Sequence, residues 1–148
     1  MTNTYQRETV RGVLEEIKPL LERHWEEIAT YKDMPLDPDY PAYLVAEDRD
    51  RVRVFTARVD GVLVGYGVFF VGNLHYKSSR IATQDILFVA PEYRGKMVGF
   101  RLIRFCDEQL RGEGIQVIYQ HVKLAHDFGP MLGRIGYQPV ETIHARRF

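Results

Sequence analysis

From Val10 onward the apolar side chains fall at positions 10, 13, 14, 17, 21, 25 and 28, a spacing that lines one face of an α-helix. Pro19 lies within this repeat. A proline cannot donate its missing N–H, which predicts a kink or a split into two helices there. A short extended piece is expected before it, around Thr4 to Arg7. The stretch "DMPLDPDYP" carries three prolines and several turn formers and reads as a loop. Val52 to Val59 then alternates in the β manner, Asp60-Gly61 is a two-residue hairpin signal, and Val62 to Val71 reads as the returning strand. After the loop "NLHYKSSR", "IATQDILFV" predicts a third strand that Pro91 ends.

The apolar spacing turns helical again from Val98 through Leu102, Ile103 and Phe105 to Leu110, predicting a helix over roughly 98–111 closed by the glycines of "RGEG". Ile115 to Val122 reads as another strand, His126 to Ile135 as a short helix stopped by Gly136, and Val140 to Arg147 as a last strand. The order is helices, an antiparallel run, then strand–helix–strand–helix–strand: a mixed α/β domain.

Composition narrows the class. At 148 residues, 45% hydrophobic and 27% charged, the chain has the size and balance of one globular domain spanning 1–148. Lys plus Arg equals Asp plus Glu, so net charge gives no nucleic-acid or anionic-membrane signal. No stretch approaches the ~20 apolar residues of a membrane span and the N-terminus has no signal-like apolar run, so a cytoplasmic location is the expectation. Cys106, the single cysteine, sits in an apolar helix and reads as plain core. The five histidines form no H-x-x-x-H or H-E-x-x-H set, so no metal site is expected.

One segment does not fit an ordinary helix start. "PEYRGKMVGFRLI" crowds Arg94, Lys96 and Arg101 with Gly95 and Gly99 around the first turn of the helix, the positive end of its dipole. Two readings stand: a solvated basic helix start, or a cradle of backbone N–H groups and cations awaiting a phosphate. The string G-x-x-x-x-G-K-[ST] of nucleotide P-loops is absent.

"DILFVAPEYRGKMVGFRLIRF", followed further on by "MLGRIGYQPVE", resembles the GNAT family of N-acetyltransferases, and looks closest to the short acetyltransferases often carried by bacteriophages. In that family a strand ends in an apolar-x-Val-x-Pro-Glu-Tyr-Arg-Gly stretch, and the loop R/Q-x-x-G-x-G/A holds the pyrophosphate of acetyl-CoA. Arg94 and Gly99 match, and Met97 stands where the inner glycine usually sits. The resemblance implies a mostly antiparallel sheet, splayed between the motif strand and the next and flanked by helices. It implies that Leu87, Phe88 and Val89 offer backbone groups to the pantetheine arm. Gly95, Lys96, Met97, Val98 and Gly99 would then offer amides to the pyrophosphate, with Arg94, Lys96 and Arg101 adding charge.

Acetyl transfer to an amine needs a group to take the amine's proton. Strict alternation puts Thr83, Asp85, Leu87 and Val89 on one face of the third strand. An acid there is costly to bury without a partner or a role, so Asp85 is either the base or water-positioner, or else a structural ion-pair partner or an exposed strand-end residue. His121, sharing a face with Tyr119, is either a proton shuttle or a core-edge histidine. His75 and Tyr76 lie on a loop that can line an acceptor site. Glu15, Glu16, Glu22, Glu26 and Glu27 read as the solvated face of the first helices, and His24-Trp25 as a packing anchor. In many family members a tyrosine four residues before the last Gly-aromatic pair protonates the departing thiolate. Here that position is Leu132, and Tyr137 of the pair is expected to be packed. The resemblance thus implies acetyl-CoA-dependent N-acetylation of a small-molecule or peptide amine, without a metal. A non-catalytic acyl-CoA-binding domain of the same fold is the alternative. Family members are commonly dimers, so a homodimer is open, as is the acceptor.

Overall fold

Five strands pair in chain order into one sheet, β1-β2-β3-β4-β5. A computed structural model describes all 148 residues. The elements are β1 Asn3–Glu8, α1 Val10–Ile28, α2 Tyr40–Asp48, β2 Val52–Val59, β3 Val62–Val71, β4 Ile81–Val89, a 3₁₀ turn at Pro91–Tyr93, α3 Val98–Gly112, β5 Val117–Tyr119 and α4 Gly129–Ile135. Every pairing is antiparallel except β4 with β5. This is the mixed α/β architecture expected. The β2–β3 turn follows from Asp60 and Gly61 both having positive φ, 48° and 83°, which a tight hairpin requires.

Helices cover both faces. Val13, Ile17 and Leu20 of α1 pack with Val54, Tyr66, Val68 and Phe88 on one side. Leu102, Cys106 and Leu110 of α3 pack with Phe55, Val64 and Phe69 on the other. A Cβ on Gly67 would stand 3.4 Å from Cys106 Sγ and 3.1 Å from the Phe69 ring, so glycine there permits the close approach of α3. Cys106 is fully buried and burial pushes its thiol up, in keeping with plain core.

Several expectations need correction. α1 runs unbroken through Pro19. Glu15, whose carbonyl loses a donor, and Pro19 both lie on the exposed side, so the lost bond falls away from the core. The proline-rich stretch hid the start of α2. Asp39 caps that helix, accepting from the Ala42 N–H at 3.0 Å, and Pro41 occupies its first turn, where a proline is tolerated. The Glu47 carboxylate of α2 in turn accepts the Val10 and Arg11 N–H groups, joining α2 to the positive end of α1. β5 is three residues rather than eight, and α4 begins at Gly129 rather than His126. Val140–Arg147 forms no strand and is exposed. Val140 and Ile143 are an odd number of residues apart, so neither face of an extended chain would be apolar. Arg147 ties the segment back through paired bonds to Asp33 of 2.8 and 2.5 Å.

Candidate active site

The parallel pairing of β5 with β4 covers only Ile81, Ala82 and Thr83. From Gln84 to Val89, β4 therefore has β3 on one side and no strand on the other, and the sheet splays there. The Gln84 side chain takes over from the ladder: its Oε1 accepts the His121 N–H at 2.7 Å, holding the chain beyond β5 near β4. Just before His121, Gln120 has its side-chain amide buried with neither atom partnered in the protein.

Beyond the open edge lies the basic loop. None of the backbone N–H groups from Gly95 to Phe100 has an acceptor in the protein. They precede the first helical bonds of α3, where donors are left over by geometry. Gly95 and Met97 have φ of 75° and 66°. Left-handed residues on either side of Lys96 are the ingredients of an anion-binding nest, and they explain why glycine suits the position that Met97 fills. A Cβ on Gly99 would meet only Val89 Cγ2 at 3.7 Å and Met131 Cε at 4.0 Å, so it faces the gap between the end of β4 and α4.

Arg94 does something the sequence did not reveal. Its guanidinium forms two bonds with the Glu27 carboxylate, 2.6 and 2.8 Å, and its Nε donates to the Val89 carbonyl at 2.9 Å. It is thus a clamp between α1, β4 and the loop rather than a free cation, and Glu27 is not merely solvated. Arg94 holds the Glu27 carboxyl below the usual range. Lys96 and Arg101 remain exposed and make no ion pair with the protein.

β4 also breaks its alternation. Val68 pairs with Ile86 but Phe69 with Gln84, leaving Asp85 as the extra residue of a β-bulge. Leu87 and Val89 pack toward α3, whereas Ile86 and Phe88 pack toward α1 and α2. The expected single face of Thr83, Asp85, Leu87 and Val89 is therefore split at the bulge, which turns Asp85 to the α1–α2 side. There the Tyr43 hydroxyl donates to Asp85 Oδ2 at 2.5 Å. Asp85 reaches solvent, yet the protein around its carboxyl raises it above its ordinary value, while Tyr43 and His121 pull the other way. The strict-alternation argument missed the bulge because one inserted residue leaves no mark in composition.

His121 and Thr83 come together across the splay. With His75, Tyr76, Tyr119 and Glu141 they line a polar cavity of about 400 Å³. Leu132 is buried in the core. Tyr137 donates to Asp107 Oδ1 of α3 at 2.6 Å. His24 packs on Phe88, ring centroids 5.0 Å apart, consistent with a packing anchor.

The acetyltransferase (GNAT) family matches residues 14–128, and the chain belongs to that family. The fold agrees. A ribosomal-protein-alanine N-acetyltransferase from Brucella melitensis biovar Abortus 2308 superposes with a TM-score of 0.74 at 20% identity, covering 99% of each chain. An aminoglycoside acetyltransferase from an uncultured soil metagenomic sample, in complex with sisomicin, gives 0.72 at 16% identity over 98% of this chain and 97% of that one. A predicted acetyltransferase from Clostridium acetobutylicum, with acetyl-CoA, gives 0.73 at 9% identity over 99% and 96%. No curated protein matches the sequence. No helix is long and apolar enough to cross a membrane.

Proposed function

We propose that the protein transfers the acetyl group of acetyl-CoA to a primary amine by direct attack. The carrying observation is the open edge of β4, which runs from a bulged carboxylate, Asp85, to a loop with six consecutive unpaired N–H groups. Those donors, with Lys96 and Arg101 nearby, fit a pyrophosphate. The free edge at Leu87, Phe88 and Val89 fits an extended arm carrying amide groups.

Acetyl-CoA supplies an activated thioester. The chain's residues do the rest. Asp85, whose carboxyl burial raises above its ordinary value while the Tyr43 bond lowers it, takes the proton from the attacking amine, directly or through a water. Tyr43 holds that carboxylate in place. His121 and Tyr119 stand at the splay, where a proton can be returned to the departing thiolate through solvent. Leu132 has none to give. The polar cavity beside Thr83 and His121 gives the amine its approach.

The test is calorimetry with acetyl-CoA, followed by thiol release with a panel of amines. Gly99→Leu fills the gap beside Val89 and Met131, and should abolish coenzyme binding while the melting temperature holds. Unchanged affinity in that variant would overturn the coenzyme assignment. Binding without thiol release across the panel would count against transfer.

A further inference from the structure

The polar cavity at the splay opens on the side of the sheet to which Asp85 is turned. Thr83 pairs with Phe70 and Gln84 with Phe69, and Phe70 packs toward α1 and α2, Phe69 toward α3. Residues directly opposite in an antiparallel pair share a face. Thr83 therefore joins Asp85 and Tyr43 on the α1–α2 side, where Tyr43 also packs on Phe70 with ring centroids 5.6 Å apart. Across the splay, His121 is near enough for its charge to act on the Asp85 carboxyl.

The lining of this cavity is selective for charge. Glu141 is its one carboxylate, and no lysine or arginine lines it. Arg80, on the same loop as His75 and Tyr76, turns instead to Glu113 at 3.7 Å. On the terminal segment that carries Glu141, the other polar side chains are already engaged. Thr142 meets His144 at 3.0 Å, Arg146 lies over the Phe148 ring, and Arg147 bonds Asp33. Glu141 itself is exposed and makes no ion pair with the protein. Tyr76 and Tyr119 add aromatic rings to the wall, and the faces of such rings attract cations.

Resting on the acetyl-transfer reading, we propose that Glu141 is a specificity determinant that selects an acceptor with a second positive charge. One amine of such an acceptor reaches Asp85, and the second cationic group pairs with Glu141. The class is a hydrophilic diamine. A volume of about 400 Å³ lies in the ~300–1,000 Å³ range of small-molecule sites and well above the ~150 Å³ that holds benzene. A chain of several carbons or a hydroxylated ring bearing both amines fits, with Asn73 and Thr83 available to its polar groups. An acceptor that ends in a carboxylate meets a like charge at Glu141 and is disfavoured.

Thiol release with acetyl-CoA should be compared for 1,5-diaminopentane, 1-aminopentane and 5-aminopentanoate, which differ only at the far end. Per reactive amine, kcat/KM should fall in that order. The diamine should stand about fivefold above the monoamine, the upper range for an exposed ion pair, and the gap should narrow in high salt. Glu141→Gln should bring the diamine level with the monoamine, and Glu141→Lys should put 5-aminopentanoate first. A loss of folding would lower all three substrates alike, so their order reads the charge alone. In parallel, ligand-observed NMR without the coenzyme should show 1,5-diaminopentane binding the wild type about fivefold more tightly than Glu141→Gln. A wild type that acetylates the monoamine or the amino acid as fast as the diamine, or an order that survives Glu141→Lys, would overturn the proposal. If acetyl-CoA binds but no amine turns over, the transfer reading fails and the NMR comparison alone decides: the fivefold difference upholds the role of Glu141, and equal binding overturns it.

Discussion

Arg94 and Glu27 are 67 residues apart in the chain and meet through two hydrogen bonds of 2.6 and 2.8 Å. With its Nε on the Val89 carbonyl and its guanidinium 5.6 Å above the Phe88 ring, Arg94 fastens the loop before α3 to both α1 and β4. The charge that looked available for a phosphate is already neutralised.

Glu27→Gln should therefore weaken acetyl-CoA binding by about 1–2 kcal/mol, the scale of one charge-assisted bond, by loosening the loop. Calorimetric Kd measures this, with thermal melts reporting separately on the fold. Tighter binding in the variant would show instead that Arg94 leaves Glu27 to contact the coenzyme directly.

Asp85→Asn should lower kcat/KM by ~10²–10⁴-fold, the usual cost of losing a general base. Tyr43→Phe gives a sharper test. The Tyr43 bond lowers the Asp85 pKa against the upward push of burial. Without it the carboxyl rises further, so the acidic limb of the pH–kcat/KM profile should move to higher pH. A limb that stays in place, or moves down, would assign that ionisation to another group.

Tyr137→Phe should retain kcat within a few-fold. The Tyr137 proton is directed at Asp107, and burial raises its pKa, with Asp107 adding to the rise. The variant should lose about 1 kcal/mol of stability in denaturant titration, the scale of one half-buried hydrogen bond. A ~10²-fold fall in rate in a folded variant would make Tyr137 the acid.

His24 makes stability pH-dependent. Burial depresses it from 6.5 to about 4, so the folded protein resists a proton that the unfolded chain accepts. Stability is thus complete above about pH 6.5 and falls as the pH drops toward 4. The group is partly exposed, which limits the effect to about 1–2 kcal/mol. Comparing denaturation of the wild type and His24→Phe at pH 7 and pH 4.5 isolates this contribution: the variant should lose less. An equal loss in both would mean that other groups govern the acid limb.

The features legible in the sequence are those that neighbouring residues settle. The α1 and α3 stripes, the Asp60-Gly61 turn and the Pro91 strand end are local, because backbone sterics and a 3.6- or 2-residue period act over one or two turns of chain. The unpaired donors at Gly95–Gly99 belong to the same group, since any helix start leaves its first N–H groups free. What only the tertiary structure decided involves partners distant in sequence. Pro19 is absorbed because packing of Val13, Ile17 and Leu20 holds α1 together across it. The bulge at Asp85 exists only in register with β3, and it splits a face that alternation alone would keep whole. The Arg94–Glu27 clamp and the Tyr43–Asp85 bond each need two segments brought together. A one-dimensional pattern records which side chains are apolar or charged, and folding chooses which of them meet.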